Sequence, residues 1–191
     1  ARESYNTPIV GHAPPLTDVA VHLGELLRAD SQAHVLLNLG TEPVCEMLLR
    51  AVPTQSRLSV CIVDLGEAHF ATATEGLSDI LAGDLALDDA IQQDERSGFD
   101  YISSGTVHRG SFGLELVILT LQDCYDLVVI DGLDVLSSDF ETLAPVVTLA
   151  VLSDSEELGE INYVIEQTLR AENCHDVLFE ACGEMRVSKA A

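Results

Sequence analysis

Short apolar runs alternate along the chain with segments in which apolar residues recur every three or four positions. Runs that are apolar throughout are typical of strands in a parallel sheet that is covered on both faces. Several of these runs end at an acidic or glycine residue, which marks a turn. The pattern predicts strands at 34–39, 57–64, 99–103, 125–131, 145–151 and 176–181.

The segments between these runs have the spacing of amphipathic helices. Helices are predicted at 17–29, 43–51, 76–83, 87–92, 112–122 and 154–170. The last two carry the clearest buried stripes, which are Leu114, Val117, Ile118 and Leu121 in one and Leu158, Ile161, Ile165 and Leu169 in the other.

Strands that alternate with helices predict parallel βαβ units with right-handed crossovers. The predicted fold class is therefore α/β, with three layers and a mostly parallel sheet flanked by helices. A chain of 191 residues is long enough for one such domain, which we assign to 17–191. Residues 1–16 contain Pro8, Pro14 and Pro15 and are interpreted as a linker.

The charge balance excludes several classes of function. The chain has 32 acidic residues against 9 lysines and arginines, a formal net charge of −23. Nucleic-acid binding needs a basic surface, and an anionic membrane surface would repel this chain. Lys189 near the C-terminus is the one lysine, so a mechanism that needs lysine within the fold is excluded.

The five cysteines give no evidence of a metal centre or a disulfide framework. They form no CxxC pair and no cysteine–histidine spacing typical of zinc sites. An odd and scattered set fits a reducing compartment. No apolar run reaches the length of a membrane span, and no signal peptide is visible.

Two strand ends and one strand-to-helix turn carry the candidate chemistry. Ligands of open α/β sheets bind at the carboxyl ends of the strands, where Asp64 and Asp131 end apolar runs. Such carboxylates can serve Mg²⁺ beside substrate phosphates, or they can cap the following turn. The turn after the first strand reads Gly40, Thr41 and Glu42, whereas a phosphate-binding loop needs glycines and a lysine.

Three segments resemble a known family. They are Pro8-Ile-Val-Gly11, the string Gly76-Leu-Ser-Asp-Ile-Leu-Ala-Gly83, and the strand Tyr125-Asp-Leu-Val-Val-Ile-Asp131. The sequence resembles the cytoplasmic domain of bacterial polysaccharide co-polymerases, the bacterial tyrosine kinases of exopolysaccharide chain-length control and export. The resemblance implies the P-loop ATPase fold that this family shares with the partitioning ATPases.

The resemblance also implies roles for individual residues. Asp131 corresponds to the Walker B aspartate and Asp139 to the aspartate that follows it, and Asp64 stands at the first aspartate of Walker A′. The family's Gly-Lys-Ser/Thr loop falls at 40–45, where this chain has no lysine and Thr41 is the candidate hydroxyl. Glu42 adds negative charge where phosphates would rest, at a cost on the order of 1 kcal/mol. The loop is therefore a degenerate nucleotide site.

We expect from this resemblance a non-catalytic domain, a pseudo-ATPase or pseudokinase with no cofactor. Its expected partners are other subunits of a polysaccharide export assembly, including copies of itself. Its expected location is the cytoplasmic face of the bacterial inner membrane, reached through a part of the protein that precedes Ala1.

Two alternatives remain open at this point. The first is a divergent but active ATPase or tyrosine autokinase that uses ATP and Mg²⁺, with Asp64 and Asp131 toward the metal. Arg50 or Arg57, or an arginine of a neighbouring subunit, would then replace the missing lysine. The second is a soluble adaptor like the partitioning ATPases, with no membrane link.

Overall fold

Eight described strands form one sheet in the computed structural model. The structure describes residues 19–29, 32–52, 58–66, 75–105, 112–154, 159–172, 174–181 and 185–189. The strands are β1 His34–Leu39, β2 Val60–Asp64, β3 Gln92–Gln93, β4 Asp100–Ile102, β5 Leu127–Asp131, β6 Leu149–Asp154, β7 Asp176–Ala181 and β8 Met185–Lys189. Their order across the sheet is β3-β4-β2-β5-β1-β6-β7-β8.

Seven α-helices and one 3₁₀ turn connect the described strands. The helices are α1 Val19–Ala29, α2 Val44–Ala51, α3 Leu77–Ala82, α4 Leu87–Ala90, α5 Leu114–Gln122, α6 Ser138–Leu143 and α7 Gly159–Ala171, with the 3₁₀ turn at Ala144–Val146. No helix within the described ranges combines the length and the apolar character that crossing a membrane requires.

The centre of the sheet is parallel, as predicted. Strands β4, β2, β5, β1, β6 and β7 pair in parallel, while the edge strands β3 and β8 pair antiparallel. The α/β fold class and the mostly parallel sheet are confirmed. The two antiparallel edge strands were not predicted from the sequence.

Helices cover both faces of the sheet, and each face has its own apolar core. One core joins Val35 and Leu37 of β1 to helices α5, α6 and α7, and the other joins Leu36 to helices α1 and α2. Neighbouring residues of β1 thus enter opposite cores, because side chains alternate across a strand. This arrangement explains why the central strands are apolar at nearly every position.

The predicted strand at 145–151 begins too early. Pro145 lies in the 3₁₀ turn after α6, and β6 starts at Leu149. Thr148 makes the connection, since its N–H donates to Val35 O (2.9 Å) and its Oγ1 accepts from Val35 N (3.0 Å). Proline has no N–H to give to a ladder, so the apolar run enters the sheet only after it.

The last helix differs from its prediction in the residues that it buries. Ile165 and Leu169 are buried as predicted, but Ile161 is exposed, and Asn162 is buried instead. Asn162 Nδ2 donates to Ser153 O (2.6 Å), which ties the start of α7 to the end of β6. The predicted start at Asp154 is wrong, because Asp154 is the last residue of β6 and the described helix begins at Gly159. Leu158 lies outside the described ranges.

The predicted helix 87–92 ends at Ala90, and the next residues turn into the short edge strand β3. Tyr101 Oη donates to Gln92 Oε1 (2.9 Å), and the turn between β3 and β4 is held by Asp94 and Ser97. Pairing with β4 therefore outweighs the local helical pattern. The predicted linker 1–16 and the start of the first helix at Thr17 lie outside the described residues.

Candidate functional site

Three polar side chains meet at the carboxyl ends of the central strands. Asp64 of β2 and Asp131 of β5 lie opposite one another in register, and Asn38 of β1 lies on the other side of Asp131. All three are buried, with exposed fractions of 2% for Asp64, 5% for Asp131 and 4% for Asn38. Asn38 Nδ2 donates to Asp131 Oδ1 at 2.8 Å, so an amide supports one of two adjacent carboxylates.

The backbone that follows β2 is hydrogen-bonded to both aspartates, to the carboxylate of Asp64 and to the backbone carbonyl of Asp131. Asp64 Oδ1 accepts from Gly66 N (2.9 Å), and Leu65 N donates to Asp131 O (2.8 Å). Gly132 has φ +72°, and a Cβ there would lie 2.6 Å from Gly66 N. A glycine is needed at this position because the two chains touch backbone to backbone.

The loop between β1 and α2 holds a carboxylate from the same chain. Glu180 of β7 accepts hydrogen bonds from Thr41 N (2.6 Å), Thr41 Oγ1 (3.1 Å) and Glu42 N (3.3 Å). Backbone N–H groups of such a loop form an anion-binding concavity. Here the anion is the side chain of Glu180.

Gly40 lies directly against this contact. A Cβ at Gly40 would lie 2.5 Å from Glu180 Oε2 and 3.1 Å from a methyl group of Val151. The absence of a side chain at Gly40 thus leaves the space that the Glu180 carboxylate occupies.

Glu42, which was expected to add negative charge where phosphates would rest, is paired with a cation of its own chain. Its two carboxylate oxygens face Arg50 at the end of α2, where Nη1 contacts Oε1 closely and Nη2 lies 2.7 Å from Oε2. Arg50 is thereby paired within its own helix and loop. The negative charge at the loop amides comes from Glu180, while the charge of Glu42 is balanced by Arg50.

Cys45 and Arg96 lie at the rim of the site. Burial, followed by the charges of Asp94 and Asp131, raises the pKa of the half-buried Cys45 thiol to about 11. Arg96, in the turn between β3 and β4, acts in the opposite direction on that pKa. The largely exposed Arg96 guanidinium lies 3.8 Å from the Glu46 carboxylate on α2.

Asp139 lies in the first turn of α6, beyond the end of β5. Of the predicted site residues, Asp64 and Asp131 are adjacent in the sheet, and Gly40, Thr41 and Glu42 form the loop beside β1. Within the described part of the chain, no group of three or more histidine, cysteine or acidic side chains is placed to hold a metal ion.

Comparison with protein-family models and with curated proteins gives no match. Comparison with solved structures gives several. The kinase domain of the Escherichia coli tyrosine kinase ETK matches with a TM-score of 0.58 and 19% identity, covering 97% of this chain and 88% of that chain. The BceF tyrosine kinase domain matches with a TM-score of 0.59 and 23% identity, covering 85% of this chain and 74% of that chain.

The chain has the fold of the bacterial tyrosine kinase domains. The septum site-determining protein MinD of Pyrococcus horikoshii, solved with Mg-ADP, has the same fold, with a TM-score of 0.53 and 18% identity over 71% of this chain and 66% of that chain. The predicted P-loop ATPase fold is therefore confirmed.

In this kinase fold the string 76–83 serves to join α3 to the end of β4. Leu77 N donates to Ser103 O (2.8 Å), and Asp79 Oδ2 accepts from Gly76 N (2.8 Å). A Cβ at Gly76 would collide with Ser103 O, and Gly83 ends the helix with φ +82°. Close backbone packing thus explains Gly76, and a left-handed backbone conformation explains Gly83.

Carboxylates of the chain occupy the hydrogen-bond donors of the β1–α2 loop. The amides of Thr41 and Glu42 and the Thr41 hydroxyl already bind Glu180, and Arg50 is engaged by Glu42. A bound phosphate would have to displace a carboxylate and would find no lysine. Asp64 and Asp131 could still face a hydrated Mg²⁺, since magnesium keeps several waters.

Sequence reasoning missed three residues of the site. Asn38 interrupts an apolar strand, and a polar residue in a buried strand needs a partner, which was the available signal. Glu180 stands near the end of an apolar run, as Asp64 and Asp131 do. No sequence pattern around Arg96 indicates a role in the site, because its contact with Glu46 of α2 forms only in the folded chain.

Proposed function

We propose that this chain is a non-catalytic domain with the bacterial tyrosine kinase fold. It acts through protein–protein contacts in exopolysaccharide biosynthesis, chain-length control or export, at the cytoplasmic face of the bacterial inner membrane. It uses no nucleotide and no metal. It contacts other subunits of the assembly, including copies of itself.

The contact between Glu180 and the β1–α2 loop carries this proposal. Three donors of the loop end on one carboxylate, at 2.6, 3.1 and 3.3 Å. A carboxylate at this place repels phosphate. The one lysine of the chain, Lys189, belongs to β8 and pairs with Asp176 at the start of β7, whereas Glu180 is near the end of β7. The internal anion thus supports a loop that keeps its shape without nucleotide.

The role in polysaccharide assembly is supported by two observations of different kinds. The sequence segments at 8–11, 76–83 and 125–131 resemble the co-polymerase family. The fold is that of ETK and BceF, which are tyrosine kinase domains.

Titration calorimetry with Mg-ATP and Mg-ADP tests the loss of nucleotide binding. The wild-type chain is expected to give no binding heat at ligand concentrations up to about 1 mM, which corresponds to a binding free energy weaker than about −4 kcal/mol. Glu180→Ala removes the carboxylate that the loop binds, and Glu172→Ala is the matched control at an exposed acid. Micromolar binding to the wild-type chain would overturn the proposal.

A divergent active kinase is the second candidate, and one observation favours it. Asp64 and Asp131 remain adjacent and buried at the strand ends, where carboxylates facing a Mg-nucleotide would stand. The guanidinium of Arg96 at the rim would be the cation for the phosphates. Phosphotyrosine formed on the purified chain with ATP and Mg²⁺, and lost in Asp131→Asn and Arg96→Gln, would establish this candidate over the first.

An adaptor without a membrane link is the third candidate, and the likeness to MinD favours it. Fractionation of the source cells separates it from the first two. Recovery of the native protein with the inner membrane supports the co-polymerase role, whereas recovery in the soluble fraction supports the adaptor.

A further inference from the structure

Exposed apolar side chains gather on one helical layer of the protein. The described residues include eight large apolar side chains that are exposed, and seven of them belong to α5, α7 or the turns before α5 and α6. They are Phe112, Leu116, Leu119, Leu136, Ile161, Tyr163 and Val164, whereas Val21 on α1 is the eighth. Exposed apolar residues that cluster in this way mark an interaction surface.

This layer contains a groove between α6 and α7 with a volume of about 560 Å³. Apolar side chains from α6, from the turn before it and from α7 line the groove, namely Val135, Leu136, Phe140, Ile161, Val164 and Ile165. Leu136 is 83% exposed, Val164 61% and Ile161 38%, so the upper walls of the groove are apolar and face solvent.

The charges around the groove are acidic. Glu141 and Glu160 belong to its lining, and α6 and α7 also carry Asp139 and Glu166. Arg170 is the one basic residue within α6 and α7, and its Nε donates a hydrogen bond to Glu166 Oε1 at 2.9 Å. A partner with positive charge beside its apolar residues would complement this rim.

We propose that the α6–α7 groove is a docking site for a basic amphipathic helix of a partner protein. The partner's apolar residues, spaced as on one face of a helix, would fill the space between Leu136, Phe140 and Val164. Its flanking lysines or arginines would face Glu141 and Glu160. The inference goes beyond the proposed function, because it concerns residues outside the β1–α2 loop and holds whether or not nucleotide binds.

A second copy of the chain is a poorer occupant of the groove. In a symmetric contact, the same patch meets itself, so Glu141 and Glu160 would face the same residues of the other copy. Each chain also carries a formal net charge of −23, with no cation on α6 or α7 apart from Arg170. Charge repulsion therefore favours a partner of opposite sign.

Two designed helical peptides of one length test the proposal by fluorescence anisotropy. Both carry leucines at one helical face; the first has lysines at the flanking positions, and the second has glutamates. The lysine peptide is expected to bind the full chain, more tightly at low salt, and the glutamate peptide is not. Equal binding of both, or binding of neither, would overturn the proposal.

Variants of the chain separate groove binding from general attraction to an acidic protein. Leu136→Ser and Val164→Ser keep the charge, and each should weaken the lysine peptide at least about tenfold. Val21→Ser is the matched control on the opposite layer and should leave the affinity unchanged. If all three variants bind alike, the peptide binds through charge alone and the proposal is wrong.

Analytical sedimentation tests whether a second copy of the chain occupies the groove. The chain is expected to show the same mass with and without Leu136→Ser, because the groove does not join two copies. A dimer that Leu136→Ser dissociates would assign the groove to self-association and overturn the proposal. Circular dichroism of every variant confirms that the exposed substitutions leave the fold intact.

Discussion

The carboxylate of Glu180 accepts a 2.6 Å hydrogen bond from the backbone N–H of Thr41, which joins strand β7 to the loop after β1. These residues are 139 positions apart in the sequence, and β6 lies between β7 and β1, the strand that precedes Thr41. The same carboxylate binds the Thr41 hydroxyl and the Glu42 N–H. The loop after β1 is thus bound by a carboxylate of its own chain.

Glu180→Gln is expected to lower the free energy of unfolding by about 1 kcal/mol. Hydrogen bonds to a charged acceptor are worth roughly 1.5–3 kcal/mol when buried, and the partly exposed position of this contact reduces that value. Urea unfolding followed by circular dichroism measures the change. Glu172→Gln is the control and should stay within about 0.5 kcal/mol of the wild type.

Asn38→Asp is expected to destabilise the fold by about 2–4 kcal/mol, because it places a second carboxylate within hydrogen-bond distance of buried Asp131. Asn38→Ser removes the amide without adding charge and should cost less. The introduced carboxyl is more easily ionised in the unfolded chain than beside Asp131. Its cost should therefore be smaller at pH 5 than at pH 8.

Urea unfolding of Asn38→Asp and Asn38→Ser at both pH values separates the charge from the lost hydrogen bond. A cost for Asn38→Asp that does not change with pH would show that the two carboxyl groups do not interact.

The central strands could be predicted because an apolar run that ends in a turn is typical of a strand in a parallel sheet. The residues of β1, β2 and β5 are apolar nearly throughout, and such runs are stable only between two helical layers. The position of Asp64 and Asp131 at the carboxyl ends of neighbouring strands follows from the same runs. The fold class thus depends on local pattern.

The rest of the site depends on distant contacts that leave no local pattern. Gln92 and Gln93 become a strand only by pairing with β4, and Met185–Lys189 becomes one by pairing with β7. Glu180 is brought to Thr41 by the register of β6 and β7. Ile161 has the spacing of a buried residue, but Asn162 takes that place by binding Ser153 O.

Gly76→Ala is expected to destabilise the protein by about 1–3 kcal/mol, which is typical of overpacking. The added Cβ would collide with Ser103 O and with Ser103 Oγ, where the end of β4 meets α3. Backbone conformation is not the cause, since φ at Gly76 is −176°, which is ordinary extended backbone. Thermal unfolding measures the effect.

Gly159→Ala is the matched control for this substitution. A Cβ at Gly159 meets no atom within 4 Å, and the residue begins α7. Alanine favours helix over glycine by about 1 kcal/mol in a helix interior, so the control should be neutral or slightly stabilising. Equal destabilisation by both substitutions would contradict close packing at Gly76.

Cys45 is expected to be alkylated by iodoacetamide far more slowly in the folded chain than in urea. Burial, with the charges of Asp94 and Asp131, raises the pKa of this thiol from 9.0 to about 11. The thiolate is the reactive form, so at pH 8 the folded chain has about a hundredfold less of it. The rate should rise about tenfold per pH unit and level off only near pH 11, whereas in urea it levels off near pH 9. Peptide mass spectrometry identifies the modified residue.

Two neighbouring charges should move this rate in opposite directions. Asp94→Asn removes a negative charge that raises the pKa of Cys45, so alkylation becomes faster. Arg96→Gln removes a positive charge that lowers the same pKa, so alkylation becomes slower. Exposed Cys124 is the internal reference and should react at one rate in all three chains. If both substitutions changed the rate of Cys45 in the same direction, accessibility and not charge would control this thiol at the rim of the site.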